Sequence, residues 1–123
     1  MGLRDKLRES AAPYLRPGEP VQAIFPAQTA SQWLAVATGI IFFPLVNRYR
    51  IVVVTPQRIV VLDAGKSSMK KAKGVVMELP RSTRLGPGKG MYQVIPAGQE
   101  KLHVHRNFFK DLAAADNYVP AAA

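Results

Sequence analysis

The amino-acid sequence predicts a mainly β protein with some α-helix: a small bent antiparallel β-barrel or sandwich with an N-terminal amphipathic helix and a C-terminal capping helix. Runs of β-branched residues alternate with short turn signals through the middle of the chain. Apolar residues at helical spacing occur near both ends. The 123 residues suffice for one domain with one modest core.

The first sixteen residues predict the amphipathic helix, which we assign to residues 1–16. Leu3, Leu7 and Ala11 recur at helical spacing among basic side chains, and Arg16-Pro17-Gly18 ends the segment. Such a helix either docks on its own domain or lies in a membrane interface. One short apolar stripe fits both interpretations.

Residues 17–119 form the predicted domain, and residues 120–123 a loose tail. Strands are predicted at 21–25, 49–55, 58–62, 75–79, 91–95 and 101–105, and the capping helix at 108–118. Pro56-Gln57 separates two of these strands and predicts a tight hairpin, because a turn tolerates the N–H that proline lacks.

Three stretches of the sequence resemble bacterial pleckstrin-homology-like (PH-like) domains, including the GRAM-related group. The hairpin RIVVVTPQRIVVLD resembles their strand–Thr-x-x-Arg–strand signature, LRPGEPVQAIF resembles their start, and HVHRNFFKDLAAADN resembles their last strand and capping helix. The resemblance implies two curved antiparallel sheets closed by the C-terminal helix, and a binding or scaffolding role. Two features depart from the family pattern: Pro56 stands where Asp is frequent, and residues 33–46 form an apolar insertion.

The formal net charge of +9 indicates an anionic partner, because a strongly basic protein is attracted to lipid headgroups, nucleic acid or acidic protein surfaces. Bases are concentrated between residues 64 and 90, and a hairpin could bring them together. The candidate anion- or headgroup-binding residues are Arg48, Arg50, Lys66, Lys70, Lys71, Lys73, Arg81, Arg84 and Lys89. The alternative is a basic loop that only improves solubility.

The apolar run WLAVATGIIFFPLV, residues 33–46, is shorter than the roughly 20 residues of a spanning helix. Aromatic and aliphatic side chains with basic flanks suit a membrane interface. The candidate membrane or partner contacts are Trp33, Leu34, Ile40, Ile41, Phe42 and Phe43. The alternatives are a buried core segment and a protein interface, including self-association.

The sequence contains no pattern that predicts catalysis, a metal site or a cofactor. It has no cysteine, and Gly65-Lys66-Ser67 lacks the preceding glycine that a phosphate-binding loop needs. His103 and His105 share one face of a predicted strand, but no third ligand accompanies them. We therefore expect a non-enzyme that needs no cofactor or metal.

Two functions from different classes remain. The first is a non-catalytic PH-like binding or scaffold module, cytoplasmic and peripherally associated with an acidic membrane or a membrane protein complex. The second is a basic nucleic-acid- or ribosome-associated protein. We favour the first, because aromatic side chains are not interleaved with the bases as single-strand binding requires.

Overall fold

Six antiparallel strands form one sheet in the computed structural model, which describes residues 2–29, 48–65, 70–88, 90–98 and 100–117. The strands are β1 (Ala23–Gln28), β2 (Tyr49–Val54), β3 (Arg58–Gly65), β4 (Gly74–Pro80), β5 (Tyr92–Ala97) and β6 (Glu100–His105). Their order across the sheet is β4-β3-β2-β1-β6-β5, and the sheet curls into a half-barrel. The family resemblance implies two sheets, whereas the described strands form one continuous sheet.

Helices precede and follow the sheet. Helix α1 (Leu3–Ala11) continues into a 3-10 turn (Ala12–Tyr14), and a second 3-10 turn (Arg106–Phe108) leads into helix α2 (Phe109–Asn117). The predicted mainly β, barrel-like fold with a helix at each end is therefore confirmed.

Both faces of the three adjacent strands β1, β2 and β3 are buried. On the inner face, Phe25, Val52 and Val61 pack with α2 and the β5–β6 hairpin. On the outer face, Ile51 and Val60 belong to a second cluster that packs with α1. Burial on both sides explains why these strands are largely apolar and lack alternating polar positions.

Helix α1 is docked on the domain through both apolar and ionic contacts. Leu7 and Ala11 are fully buried against the outer face. Arg4 forms two hydrogen bonds to the Asp111 carboxylate of α2, from Nε at 3.0 Å and from Nη2 at 2.6 Å. The same guanidinium lies 5.5 Å from the centre of the Phe108 ring. Of the two interpretations of this helix, the structure describes the docked one.

We expect Leu7→Ala to lower the free energy of unfolding by about 2–5 kcal/mol, because the Leu7 side chain is fully buried and its loss leaves a cavity. Urea unfolding followed by circular dichroism measures the change. Leu3→Ala is the control, since Leu3 is only partly buried. Equal, small losses in the two variants would show that α1 is not docked in solution.

The β2–β3 hairpin owes its turn to Thr55. The Thr55 hydroxyl accepts hydrogen bonds from the backbone N–H groups of Gln57 at 3.3 Å and Arg58 at 3.2 Å. The Thr55 N–H donates to the Arg58 carbonyl at 2.9 Å. Pro56 occupies the one turn position that needs no donor, where its fixed φ is favourable. The segment Thr-Pro-Gln-Arg is thus a turn closed by its own hydrogen bonds.

Candidate functional site

Three chain connections leave the sheet at the same end. The register pairs Gln28 of β1 with Tyr49 of β2, and Tyr49 with Gly65 of β3. Gln28 also pairs with His103 of β6, which runs antiparallel to β1. The β1–β2, β3–β4 and β5–β6 connections therefore emerge side by side. We call this the basic end, with residues 28, 29, 48–50, 63–65, 70–74, 97, 98, 100 and 101 as its described members.

The β1–β2 connection is closed at its base. The Thr29 N–H donates to the Arg48 carbonyl at 2.9 Å, and the Arg48 N–H donates to the Thr29 hydroxyl at 3.0 Å. Residues 30–47 therefore begin and end on neighbouring strands. The predicted membrane or partner contacts Trp33, Leu34, Ile40, Ile41, Phe42 and Phe43 fall within this stretch and lie outside the described residues.

Basic side chains cluster at the basic end. Lys70, Lys71, Lys73 and Lys101 are exposed, and Arg48 is half-buried. Lys66 belongs to the same β3–β4 connection but lies outside the described residues. The acids described at this end, Asp63 and Glu100, are both ion-paired to Arg50. The exposed charge at the basic end is therefore positive.

A groove of about 510 Å³ runs between α1 and the β3–β4 connection. Its walls carry three ammonium groups, from Lys6, Lys70 and Lys71, and one carboxylate, from Glu9. The Ser10 hydroxyl accepts a hydrogen bond of 2.6 Å from the Ala72 N–H and so ties the two walls together. Three ammonium groups against one carboxylate leave this concave surface positive, which suits a phosphate group.

Sequence reasoning missed Lys6, which lies in α1, far in sequence from the other bases. The available signal was the i, i+4 spacing of Lys6 and Ser10, which places both on a helix face beside the Leu7–Ala11 stripe. Only the docking of α1 brings that face next to Lys70 and Lys71.

Arg50, one of the predicted anion-binding residues, is buried within an ion-pair network. Its Nη1 donates to Asp63 at 2.8 Å, its Nη2 to Glu100 at 2.8 Å and its Nε to Glu100 at 3.2 Å. These bonds tie β2 to β3 and β6. Arg50 therefore holds the strands that carry the basic end and does not offer its charge at the surface.

The bases that follow β4 lie at the opposite end of the sheet, because Pro80 pairs with Arg58 beside the β2–β3 turn. Buried Arg81 donates to the Gln22 side chain at 2.8 Å and to the Ala115 carbonyl at 2.9 Å. Desolvation lowers its pKa, and its Nη1 has no hydrogen-bond partner within the described residues.

Arg84 is exposed and donates to the Asp116 carbonyl at 3.3 Å, and Lys89 lies outside the described residues. The bases between residues 64 and 90 therefore form two groups. Those of the β3–β4 connection belong to the basic end, whereas Arg81 and Arg84 pack near α2. The described residues do not bring the two groups together in a single hairpin, because β4 separates them along its length.

Within the described ranges, no three His, Asp or Glu side chains lie close enough to hold a metal ion. None of the helices described is long and apolar enough to cross a bilayer. No family model, curated protein or solved structure matches this chain. The functional argument therefore depends on the geometry of the chain itself.

Proposed function

We propose that this protein is a non-catalytic PH-like binding or scaffold module that attaches peripherally to an acidic membrane surface at its basic end. The observation that carries the proposal is topological. The β1–β2 connection, which contains the apolar run 33–46, and the β3–β4 connection, which contains the lysine cluster, emerge from neighbouring strands. One surface can therefore present both to the same bilayer.

The lysine cluster and the apolar run would contribute to membrane binding in complementary ways. Each Lys or Arg near an anionic surface contributes about 1 kcal/mol, and this attraction weakens with salt. Apolar side chains that enter the interface add a contribution proportional to the area they bury, about 25 cal/mol per Å², which salt does not screen. Stable peripheral attachment usually takes two such signals.

The groove between α1 and the β3–β4 connection suits a lipid phosphate. Lys6, Lys70 and Lys71 line it together with Glu9. At the basic end it would let a headgroup enter while the apolar run meets the acyl region. The module would then recruit or scaffold a membrane complex from the cytoplasmic side. This role needs no bound cofactor.

Vesicle co-sedimentation with Trp33 emission tests the proposal, because Trp33 is the single tryptophan. Vesicles of phosphatidylcholine are compared with mixed phosphatidylcholine and phosphatidylserine vesicles at low and high salt. We expect binding to the acidic vesicles with a blue shift of the emission, part of which persists at high salt.

Two results would overturn the proposal. One is absence of binding to either vesicle, with Trp33 emission already blue-shifted in buffer, which would place the apolar run in the core or in a protein interface. The other is tight binding to RNA without any binding to acidic vesicles, which would favour the nucleic-acid class. Salt-sensitive binding to both polyanions without a Trp33 shift would also count against membrane insertion.

A further inference from the structure

A second concave site lies on the outer face of the sheet, beside the docked α1. It is a cleft of about 370 Å³ between the β1–β2 pair and the β5–β6 hairpin. Pro26, Tyr49, Tyr92, His103, His105 and Phe108 form most of its lining. Neither the lysine cluster nor the groove beside α1 contributes to it.

Pro26 explains why the sheet opens at this point. The Thr29 N–H bonds to β2, so alternation along β1 directs the N–H groups of residues 24, 26 and 28 towards β6. Pro26 has no N–H to offer there. The β1–β6 ladder accordingly consists of a single residue pair, Gln28 with His103. A proline inside a central strand is rare, and here its missing donor faces the cleft side of β1.

The chemistry of the lining is unusual for this chain. The described residues that line the cleft supply three aromatic rings, two imidazoles and two side-chain amides, and none of these residues is Lys, Arg, Asp or Glu. The whole chain carries 17 Lys and Arg against 8 Asp and Glu. Desolvation lowers the pKa of His103, and Lys101 lowers it further, which favours the neutral imidazole. An uncharged ligand matches such a lining, because no Lys, Arg, Asp or Glu among its described residues would offset the desolvation of an ion.

Polar atoms in the lining are available to a ligand. Within the described residues, the side chains of Gln28, Tyr49, Tyr92 and His103 form no hydrogen bond. One wall is already ordered. The His105 Nδ1 accepts a hydrogen bond of 3.1 Å from the Asn107 N–H, and the Tyr92 ring meets the His105 ring edge to face at 5.4 Å.

We propose that this cleft binds a neutral heteroaromatic molecule of one or two fused rings. The volume is at the lower end of the range for small-molecule pockets, which limits the occupant to that size. Rings of Tyr49, Tyr92 and Phe108 supply faces and edges for aromatic packing. The free amide, hydroxyl and imidazole groups supply both donors and acceptors for ring nitrogens.

Titration followed by two-dimensional NMR tests the proposal on the full chain, with indole and adenine as probes. Benzoate serves as the charged aromatic control and cyclohexanol as the uncharged aliphatic control. We expect indole or adenine to shift the resonances of residues 26–28, 92 and 103–108 with saturation, and to bind at least tenfold more tightly than either control.

The matched variants are Tyr92→Leu, which keeps an apolar side chain but removes the ring, and Val94→Thr. Val94 lies two positions along the same strand and is exposed outside the cleft. We expect about tenfold weaker probe binding in Tyr92→Leu and no change in Val94→Thr. An equal effect of the two substitutions, with both variants folded, would overturn the proposal.

Two other outcomes would also overturn it. One is tighter binding of benzoate than of indole and adenine, because that order would mean an anion site. Binding of indole only after Trp33→Ala would mean that the chain's own apolar run fills the cleft. Neither outcome bears on vesicle binding, which is measured separately, so failure of this inference and failure of the membrane proposal are distinguishable.

Discussion

Replacement of Arg58 by Met is expected to lower the free energy of unfolding by about 3–5 kcal/mol, because it leaves a buried carboxylate without its partner. The Glu19 side chain is only 2% exposed. It accepts hydrogen bonds from Arg58 Nε at 3.0 Å, Arg58 Nη2 at 2.9 Å and the Thr55 hydroxyl at 2.8 Å. Arg58 also pairs with Glu78 on β4. The variant removes the central member of this network.

Urea unfolding at neutral pH measures the loss. Arg84→Met is the control, because it removes the same charge from an exposed side chain with one long hydrogen bond. We expect the control to change stability by less than about 0.5 kcal/mol. Similar values for the two variants would show that the Glu19–Arg58 pair contributes nothing specific.

The same network predicts how stability depends on pH. Hydrogen bonds from Arg58 lower the pKa of Glu19 to about 2, from an ordinary value of 4.5. Because the pKa of Glu19 is lower in the folded state, its carboxylate stabilises the fold fully above about pH 4.5. This stabilisation is lost as the pH falls through about 2. Thermal unfolding of the wild type and of Glu19→Gln between pH 2 and 7 should therefore show a difference that shrinks below about pH 4.5.

The second large effect concerns membrane attachment. We expect the triple variant Lys70→Gln, Lys71→Gln, Lys73→Gln to bind acidic vesicles roughly 100-fold more weakly, because each exposed base near the surface contributes about 1 kcal/mol. All three side chains are exposed at the basic end. Co-sedimentation over a range of lipid concentrations at low salt measures the change.

The control carries the same loss of net charge elsewhere: Arg84→Gln, Arg106→Gln, Lys110→Gln. These side chains are exposed, and Arg84 and Arg106 follow the strand ends opposite the basic end. We expect the control to retain most of the affinity. Equal losses in the two triple variants would mean that net charge alone drives binding, without an oriented surface.

Local chemistry made the β2–β3 hairpin predictable. Its two β-branched runs and the Thr55–Arg58 turn carry their own hydrogen bonds, and the strands lie within a few residues of the predicted ones. The first strand was predicted at 21–25, whereas β1 runs from Ala23 to Gln28 and continues through Pro26. The proline is tolerated because its missing N–H faces the sparsely paired β6 side, which only the register reveals.

The candidate site was predictable as a set of residue types and not as a surface. Sequence spacing placed the bases between residues 64 and 90 in one group, but strand β4 carries Arg81 and Arg84 to the other end of the sheet. Arg50 was indistinguishable in the sequence from an exposed base. Arg50 is buried because it pairs with Asp63 and Glu100. These two acids come close to it only through the pairing of β2 with β3 and the position of β6.

Two hydrogen bonds between Thr29 and Arg48 hold the two ends of residues 30–47 together where β1 and β2 meet them. A chain segment that joins two such fixed points closes a loop. The entropic cost of closing such a loop grows with the logarithm of its length, so doubling it adds only about 0.6 kcal/mol. We therefore expect a change in the length of this stretch to alter the free energy of unfolding only slightly.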